Sequence, residues 1–281
     1  MQLIVTSSST TEWVLVEYNN IVQKAFTEGL NPYFQTRREI SRSIRLELPD
    51  LFFKKKIEKI FFYGAGCSSN EKKKILSLSL VSQFHAPVQV ESDLLGAARG
   101  LFKNDSGIAC ILDTGSNSCF YNGTQIVKNV RAAGYVLGDE GSSSILGKMF
   151  LSDVLKELAP ERIMQIFYQK FHLTPDIIME SAYNRPLPTR FFAAVSYFLA
   201  DYINDDYVID LLTRNIRSFF SRCICQYDYK HYPVRFVGSV GSDYPQILRK
   251  VAHEFDFEID DIEKTSMSGL IEFHAINQDK I

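Results

Sequence analysis

The sequence has 281 residues, 46% of them hydrophobic and 23% charged, which suits a globular chain with one large domain or two medium ones. Lys and Arg number 31 against 33 Asp and Glu. This near balance excludes the basic excess typical of nucleic-acid and membrane-surface binders, so we expect neither kind of partner.

The N-terminal residues and the cysteines both bear on where the protein is located. Met1 to Thr6 carry no basic segment, and no stretch of the sequence is long and apolar enough to span a bilayer. We therefore expect a cytoplasmic protein. The odd number of cysteines and their lack of paired metal-ligand spacing indicate free thiols in a reducing compartment. They are Cys67, Cys110, Cys119, Cys223 and Cys225.

The first hundred residues predict three strands and then helices alternating with strands. Apolar and β-branched runs predict strands at residues 3–6, 13–18, 21–26, 57–63 and 88–90. Apolar residues at helical spacing predict helices at residues 35–48, 71–84 and 93–101. Ser7 to Thr11 is predicted as a polar loop between the first two strands. This order of elements implies a mixed sheet flanked by helices.

The pattern then restarts. Apolar runs predict strands at residues 107–112, 119–121, 125–130, 234–237 and 257–259. Residues 142–226 are predicted to be mostly helical, another helix to run up to residue 255, and a last helix to start near Met267.

A strand, a polar loop and a second strand occur twice, at residues 3–18 and 108–121. This repetition predicts an α/β protein with two similar lobes, the second of which carries a long helical insertion. A single doubly wound sheet is the alternative.

The clearest chemical signal is a turn of small residues after a buried strand, Ile111-Leu112-Asp113-Thr114-Gly115-Ser116-Asn117-Ser118. Such a turn can point successive backbone N–H groups and hydroxyls at one spot, which is how a loop holds phosphate without a lysine. The same residue types dominate ordinary hairpin turns, so this spacing alone leaves both interpretations open.

The residues from Thr114 to Ser118 resemble the GTGSNS loop of N-acetylglucosamine kinases and BadF/BadG/BcrA/BcrD-type ATPases, with Asp113 in place of the first Gly. Five further segments resemble that family in the same order along the chain. They are Asn31-Pro32-Tyr33, Tyr63-Gly64-Ala65-Gly66-Cys67, the LGDEGS stretch within Gly134 to Ser142, the adenosine loop at Phe236 to Gly241, and the closing segment Met267 to Ile271.

The resemblance implies an α/β protein of two RNase H-like, actin-like ATPase lobes, with mixed sheets flanked by helices and a cleft between the lobes. It implies an N-terminal lobe at 1–106, to which a C-terminal helix at 267–281 returns, and a C-terminal lobe at 107–266. ATP would bind in the cleft, with Mg²⁺ and an acceptor sugar beside it.

Residue roles follow from the same resemblance. Asp93 is implied as the general base toward the acceptor hydroxyl, although a helix N-cap is the alternative. The implied sugar contacts are Asn31, Asp139 and Glu140, of which the two acids could instead serve the dipole of the next helix. The implied adenosine contacts are Gly238, Ser239 and Gly241. The implied phosphate contacts are Ser7, Ser8, Ser9, Thr10, Asp113, Thr114, Gly115, Ser116 and Asn117. Asp113 is also implied as a Mg²⁺ ligand, directly or through water.

The first phosphate loop departs from the family. The family pattern is roughly Asp-Ser-Gly-Ser-Thr-Lys-Thr-Asp-Trp, whereas this chain reads Thr6-Ser7-Ser8-Ser9-Thr10-Thr11-Glu12-Trp13. Thr6 stands where the first Asp is expected, Ser8 replaces Gly, and the Lys is missing. Because positioning and charge stabilisation carry most of phosphoryl transfer, this change bears directly on the rate.

Three functional hypotheses result. The first is a kinase that transfers the γ-phosphate of ATP to an amino-sugar hydroxyl. The second is a nucleotide- and sugar-binding relative with impaired catalysis that acts as a sensor or regulator, which the altered first loop favours. The third and weakest is an ATPase coupled to a redox partner, as in BadF-type activators, which bind an iron–sulfur cluster between subunits through cysteines. Aromatic residues between Phe191 and Tyr202 fit a buried helix, with a homodimer face as the alternative.

Overall fold

A computed structural model describes residues 1–277 and contains two five-stranded sheets. The first half of the chain forms β1 to β5 and α1 to α4. Their bounds are β1 Gln2–Ser7, β2 Thr10–Glu17, β3 Asn20–Glu28, α1 Arg37–Glu47, α2 Leu51–Lys54, β4 Lys59–Gly64, α3 Asn70–Phe84, β5 Val88–Ser92 and α4 Asp93–Phe102.

The remaining elements include the long helical segment that the sequence predicts. Their bounds are β6 Ser106–Leu112, β7 Ser116–Asn122, β8 Ile126–Val130, α5 Gly134–Leu137, α6 Ser143–Leu155, α7 Glu161–Phe171, α8 Pro175–Tyr183, α9 Pro188–Ala200, α10 Asp206–Arg222, a 3₁₀ turn Ile224–Gln226, β9 Val234–Val237, α11 Ser239–Asp243, α12 Pro245–Glu254, β10 Ile259–Glu263 and α13 Met267–Ile276.

The first sheet has the order β3-β2-β1-β4-β5, with β1 antiparallel to β2 and parallel to β4, and β4 parallel to β5. The second sheet has the order β10-β9-β6-β7-β8. The predicted α/β class with two mixed sheets flanked by helices is therefore confirmed, and the single doubly wound sheet is wrong.

Side chains of β1 and β2 point alternately to the two faces of the first sheet and so belong to two separate hydrophobic clusters. Leu3, Val5, Trp13 and Leu15 face one layer, together with α1 and α3 residues such as Ile44 and Leu80. Ile4 and Val14 face the other layer, with Met267 and Leu270 of α13. A strand with apolar residues on both faces is buried by layers on each side, which explains why these runs are nearly continuous in the sequence.

Helix α13 packs closely on α4, because both helices carry glycine at the contact. A Cβ atom on Gly269 would lie 1.9 Å from the Gly100 carbonyl oxygen, so any side chain there would push the helices apart.

The chain divides into two compact units. The first comprises Met1–Ala109, Cys119–Val127 and the residues from Thr265 onward, and the second comprises Cys110–Ser118 and Lys128–Lys264.

The exact lobe limits, 1–106 with 267–281 and 107–266, stay a prediction, and residues 278–281 of the expected last helix lie outside the described residues.

Local details differ from the expectations. Ser7 and Thr11 belong to strands and are paired, so the predicted loop shrinks to a turn at Ser8 and Ser9. The helix expected up to residue 255 is interrupted before Pro245, because proline has no N–H with which to continue a helix. The last strand begins at Ile259, since Phe257 instead packs against Phe220, with ring centroids 5.4 Å apart.

Candidate functional site

The first phosphate loop is a tight hairpin turn braced from beneath. Ser7 Oγ and Thr11 Oγ1 lie 2.7 Å apart and both accept the Leu30 N–H, over 2.9 and 3.2 Å. Gly29 closes the other side, since a Cβ there would lie 2.2 Å from the Ser8 carbonyl oxygen. The side chain of Ser7 is 3% exposed and is held by these bonds, so we withdraw it from the phosphate contacts.

The first phosphate loop differs from the family pattern in length as well as in its residues. Thr6 to Trp13 is one residue shorter than the family pattern, and the structure accommodates this by joining β1 to β2 through Ser8 and Ser9 alone. Ser8, Ser9 and Thr10 are exposed. Because the Ser8 N–H donates to the Thr10 carbonyl over 3.0 Å, the hydroxyl groups are the main donors that this turn can offer to a phosphate.

Asp93 begins α4 but does not cap it. The Ser92 side chain accepts the Leu95 N–H over 3.2 Å and is the N-cap, which removes the structural alternative for Asp93. One Asp93 oxygen accepts the Leu94 N–H over 2.8 Å. Burial raises the pKa of Asp93 above its usual range, and the Leu94 bond opposes that rise. A raised pKa makes a carboxylate a better proton acceptor, as a general base requires.

Asn31 lies against the turn that follows β4. Its Oδ1 accepts the Tyr33 N–H over 2.9 Å, and a Cβ on Gly66 would lie 2.4 Å from that oxygen. Gly66 has φ +79°, a backbone conformation that glycine adopts without strain. The next residue, Cys67, is buried and close enough to Asp93 for that carboxylate to raise the thiol pKa, after burial itself. Asn31 and Asp93 are thus brought to one region of the first unit.

The sequence reasoning missed two lysines in this region, since a run of three lysines is usually a solvated face. Lys72 Nζ donates to the Pro32 carbonyl over 3.1 Å and lies 4.9 Å from the centre of the Tyr33 ring. Lys73 Nζ lies 2.5 Å from Glu91 Oε2. Both lysines lie in the first turn of α3, just after its N-cap Ser69, and this position next to the turn is the sequence signal that could have identified them.

The second phosphate loop is tied to the start of α6. The Asp113 carbonyl accepts the Ser143 N–H over 2.9 Å, and the Thr114 carbonyl accepts the Ser144 N–H over 3.3 Å. Within the loop, the Asp113 N–H donates to the Gly115 carbonyl over 2.9 Å. These bonds fix the loop against α6, and the Thr114 and Gly115 N–H groups stay predicted phosphate contacts.

The predicted adenosine loop packs directly on this phosphate loop. Ser239 Oγ donates to Asp113 Oδ1 over 2.6 Å. Gly238 has φ +121°, and a Cβ there would lie 2.4 Å from the Leu112 carbonyl oxygen. Tyr197 of α9, which we expected to be buried, is 54% exposed. Gly241 lies in α11, where its missing Cβ would meet neighbours at 3.5 Å or more.

Asp139 lies beneath the second phosphate loop. It is 9% exposed, and its Oδ1 accepts the Ser116 N–H over 3.5 Å. Burial raises the pKa of Asp139 to about 6, the Ser116 bond lowers it, and Glu140 adds to the rise. Its φ of +58° is rare for a residue other than glycine, and such strain clusters at functional sites.

Glu140 and the residues around it hold the LGDEGS stretch in place. Glu140 Oε1 lies 2.5 Å from Arg222 Nε. Asn215, a buried residue that the sequence reasoning missed, accepts the Gly141 N–H over 2.9 Å and donates to the Ser142 carbonyl over 3.0 Å. Lys148 Nζ donates to the Tyr135 carbonyl over 2.6 Å, and burial lowers the Lys148 pKa.

Among residues 1–277, no group of three or more His, Cys, Asp or Glu side chains is arranged to hold a metal ion. Mg²⁺ in nucleotide sites keeps several waters and uses one or two carboxylates with the phosphates, so Asp113 remains suitable as such a ligand. None of the helices in the described chain combines the length and apolar character needed to cross a bilayer.

No protein-family model and no curated protein sequence matches the chain. Among solved structures, the chain is similar to a Porphyromonas gingivalis protein assigned as an N-acetylglucosamine kinase, with 37% identity and a TM-score of 0.95 over 99% of this chain and 100% of that one.

Two more distant structures share the fold. A Chromobacterium violaceum protein, also assigned as an N-acetylglucosamine kinase, has 16% identity and a TM-score of 0.71 over 97% of this chain and 98% of that one. A ROK family glucokinase from Streptomyces griseus, solved with glucose and AMPPNP, has 10% identity and a TM-score of 0.63 over 99% of each chain. These likenesses confirm the predicted actin-like ATPase fold.

Proposed function

Because the chain belongs to the N-acetylglucosamine kinase-like family of actin-like ATPase sugar kinases, we propose that it is an ATP-dependent phosphotransferase acting on an amino-sugar hydroxyl. The observation that carries the proposal is the contact between the second phosphate loop and the adenosine loop. Ser239 donates to Asp113 over 2.6 Å, and Gly238 lies against Leu112. Segments implied to bind phosphate and adenosine, far apart in sequence, thus form one surface.

This surface suits a nucleotide by its chemistry. Thr114 and Gly115 offer backbone donors to phosphate, and Gly238 brings the backbone close because it has no side chain. Ser116 and Asn117 extend the same loop, and Gly241 is the remaining proposed adenosine contact. In the first unit, the exposed Ser8, Ser9 and Thr10 hydroxyls add donors. Bound ATP would supply the transferable phosphoryl group, and Mg²⁺ would neutralise its charge.

The acceptor side is proposed around Asp93 and Asn31. Asp93 would accept the proton of the attacking sugar hydroxyl as the bond from that oxygen to the γ-phosphorus forms, while the bond from the γ-phosphorus to the bridging oxygen breaks and ADP leaves. Asn31 has its Oδ1 engaged by the Tyr33 N–H over 2.9 Å, so its Nδ2 is the group that we propose as a donor to the sugar. Asp139 and Glu140 remain proposed sugar contacts, and the contact of Asp139 with Ser116 places that acid at the phosphate loop as well.

A second candidate is a nucleotide- and sugar-binding protein with impaired catalysis, acting as a sensor or regulator. The observation that favours it is the first loop, which lacks the family's Asp and Lys and is one residue shorter. Both candidates predict binding of ATP with Mg²⁺, whereas only the kinase predicts turnover.

The test combines two measurements. Isothermal titration with ATP and Mg²⁺, followed by N-acetylglucosamine in the presence of nucleotide, measures binding. A coupled assay of ADP release that depends on N-acetylglucosamine measures transfer. Binding of both ligands with sugar-dependent ADP release supports the kinase. Binding of both without ADP release supports the sensor, and absence of ATP binding contradicts both.

A further inference from the structure

Glu12 is a buried acid beside the altered first phosphate loop. The residue is 5% exposed, and in the β1–β2 ladder it pairs directly with Thr6. Residues paired in this way have Cβ atoms about 4.5–5.5 Å apart and project from the same face of the sheet. Glu12 therefore lies next to the position where the family pattern has the acid that this chain lacks.

The Glu12 carboxylate is held by an ion pair. Lys24 Nζ lies 2.5 Å from Glu12 Oε1, and Oε1 has no further hydrogen-bond partner among the described residues. The Lys24 side chain is 45% exposed and so shares its charge with solvent. A buried carboxylate is costly unless it is well paired, which makes such a residue a candidate for a functional role.

A second acid lies in the same cross-strand row but is already engaged. Thr6 pairs with Tyr63 of β4, which pairs with Glu91 of β5. Glu91 Oε2 lies 2.5 Å from Lys73 Nζ, and Glu91 Oε1 accepts Gln89 Nε2 over 3.4 Å. Glu91 is also two strands away from Thr6. Glu91 thus has an ion pair and a hydrogen bond, whereas Glu12 is adjacent to position 6 and its Oε1 has the ion pair with Lys24 alone among the described residues.

We propose that Glu12 serves the first phosphate loop as the acid that position 6 no longer provides, toward the Mg²⁺ of a nucleoside triphosphate, and that Lys24 supplies the accompanying cation. The proposal rests on the proposed nucleotide binding. The family pattern has Asp directly before Trp, and Glu12 is longer than that Asp by one methylene group. Glu12 thus stands at the place of that second Asp, and its extra methylene group is what would let its carboxylate reach toward position 6, with Lys24 of β3 as the cation beside it.

Titration of ATP against three proteins tests this inference, each in Mg²⁺ and again in EDTA. The proteins are the wild type, Glu12→Asp, and Thr6→Asp combined with Glu12→Asp. Shortening Glu12 should weaken binding of ATP with Mg²⁺ by about tenfold or more and leave binding in EDTA unchanged. The double variant restores an acid at position 6 and should recover the affinity. Glu17→Asp makes the same change at the other end of β2 and should have no effect.

Three results would overturn the proposal: unchanged affinity in Glu12→Asp, an equal loss in EDTA, or no recovery in the double variant. The last two would show that Glu12 only supports the hairpin. If Glu12→Asp does not fold, Glu12→Gln keeps the length and removes the charge, and the same Mg²⁺-dependent loss is expected. A wild type that binds no ATP in either buffer would instead contradict the proposed function itself.

Discussion

The carboxylate of Asp139 accepts the backbone N–H of Ser116 over 3.5 Å, which places a buried acid beneath the second phosphate loop. Asp139 also has a left-handed backbone, with φ +58°. Non-glycine residues adopt that conformation at a cost of about 1–3 kcal/mol and keep it where the surrounding structure demands it. The loop around this acid thus determines its position. We expect the free energy of unfolding to depend on whether Asp139 is ionised.

Asp139→Asn should make stability less dependent on pH. Burial raises the pKa of Asp139 to about 6 in the folded protein, above its value of about 4 when unfolded. A raised acid pKa contributes stability that is fully present below pH 4 and is lost as the pH rises through 6. At pH 7 to 8 the Asn variant should therefore be more stable than the wild type by about 2–3 kcal/mol.

Urea unfolding at pH values from 4 to 8 measures this difference, which should shrink toward the acid end. Asp176→Asn, an exposed position at the start of α8, is the control and should give no such trend. A stability difference that stays constant over the whole pH range would mean that burial of Asp139 does not shift its ionisation.

Asp93→Asn should leave nucleotide affinity intact and abolish phosphoryl transfer. A general base acts on the acceptor proton and not on ATP, so only the chemical step depends on it. The measurements are ATP titration and sugar-dependent ADP release. Loss of ATP affinity in this variant would instead make Asp93 a metal or structural residue.

Ser92→Ala is the matched control for Asp93. It removes the true N-cap of α4, which should cost about 1 kcal/mol of stability while transfer is retained. If Ser92→Ala abolished transfer as completely as Asp93→Asn, the start of α4 would act through its structure alone.

Gly238→Ala should disrupt the junction of the two nucleotide loops. The added Cβ would lie 2.4 Å from the Leu112 carbonyl oxygen, at a φ of +121° that other residues rarely adopt. We expect a loss of stability of about 1–3 kcal/mol together with weaker ATP binding. Thermal unfolding and titration measure the two effects.

Gly241→Ala separates stability from binding in the same loop. A Cβ at Gly241 would meet its nearest neighbours at 3.5 Å or more, so stability should be unchanged within about 0.5 kcal/mol. A selective loss of ATP affinity would support contact of Gly241 with the nucleotide. If Gly238→Ala were tolerated as well as Gly241→Ala, the close packing on Leu112 would be wrong.

Thr6→Asp should destabilise the protein in the absence of Mg²⁺. The new carboxylate would stand directly opposite Glu12 on the neighbouring strand, and like charges in that relation cost up to about 1 kcal/mol, with burial adding to the cost. Thr6→Asn, of similar size but neutral, should be closer to the wild type. Urea unfolding in EDTA compares the two, and equal stabilities would contradict the β1–β2 register.

Local structure was largely predictable from the sequence. The strand at residues 234–237 matches β9, and the helix predicted from Asp93 begins at Asp93, because periodicity and capping residues act within a few positions of the chain. The hairpin at Ser8 and Ser9 was not predictable in length. Ser7 and Thr11 are polar and look like loop residues, but Leu30, a distant residue, satisfies their hydroxyls inside the fold.

The sequence by itself determined that this protein has strand–loop–strand units whose small polar residues suit phosphate, and that its first loop lacks the Asp and the Lys of the family pattern, since residue types and local spacing suffice for that. Only the tertiary structure decided which side chains meet. Ser239 bonds Asp113, Asp139 supports Ser116, and Glu12 stands across from Thr6. Such contacts depend on strand register and on packing between segments distant in the chain, where local periodicity carries no information.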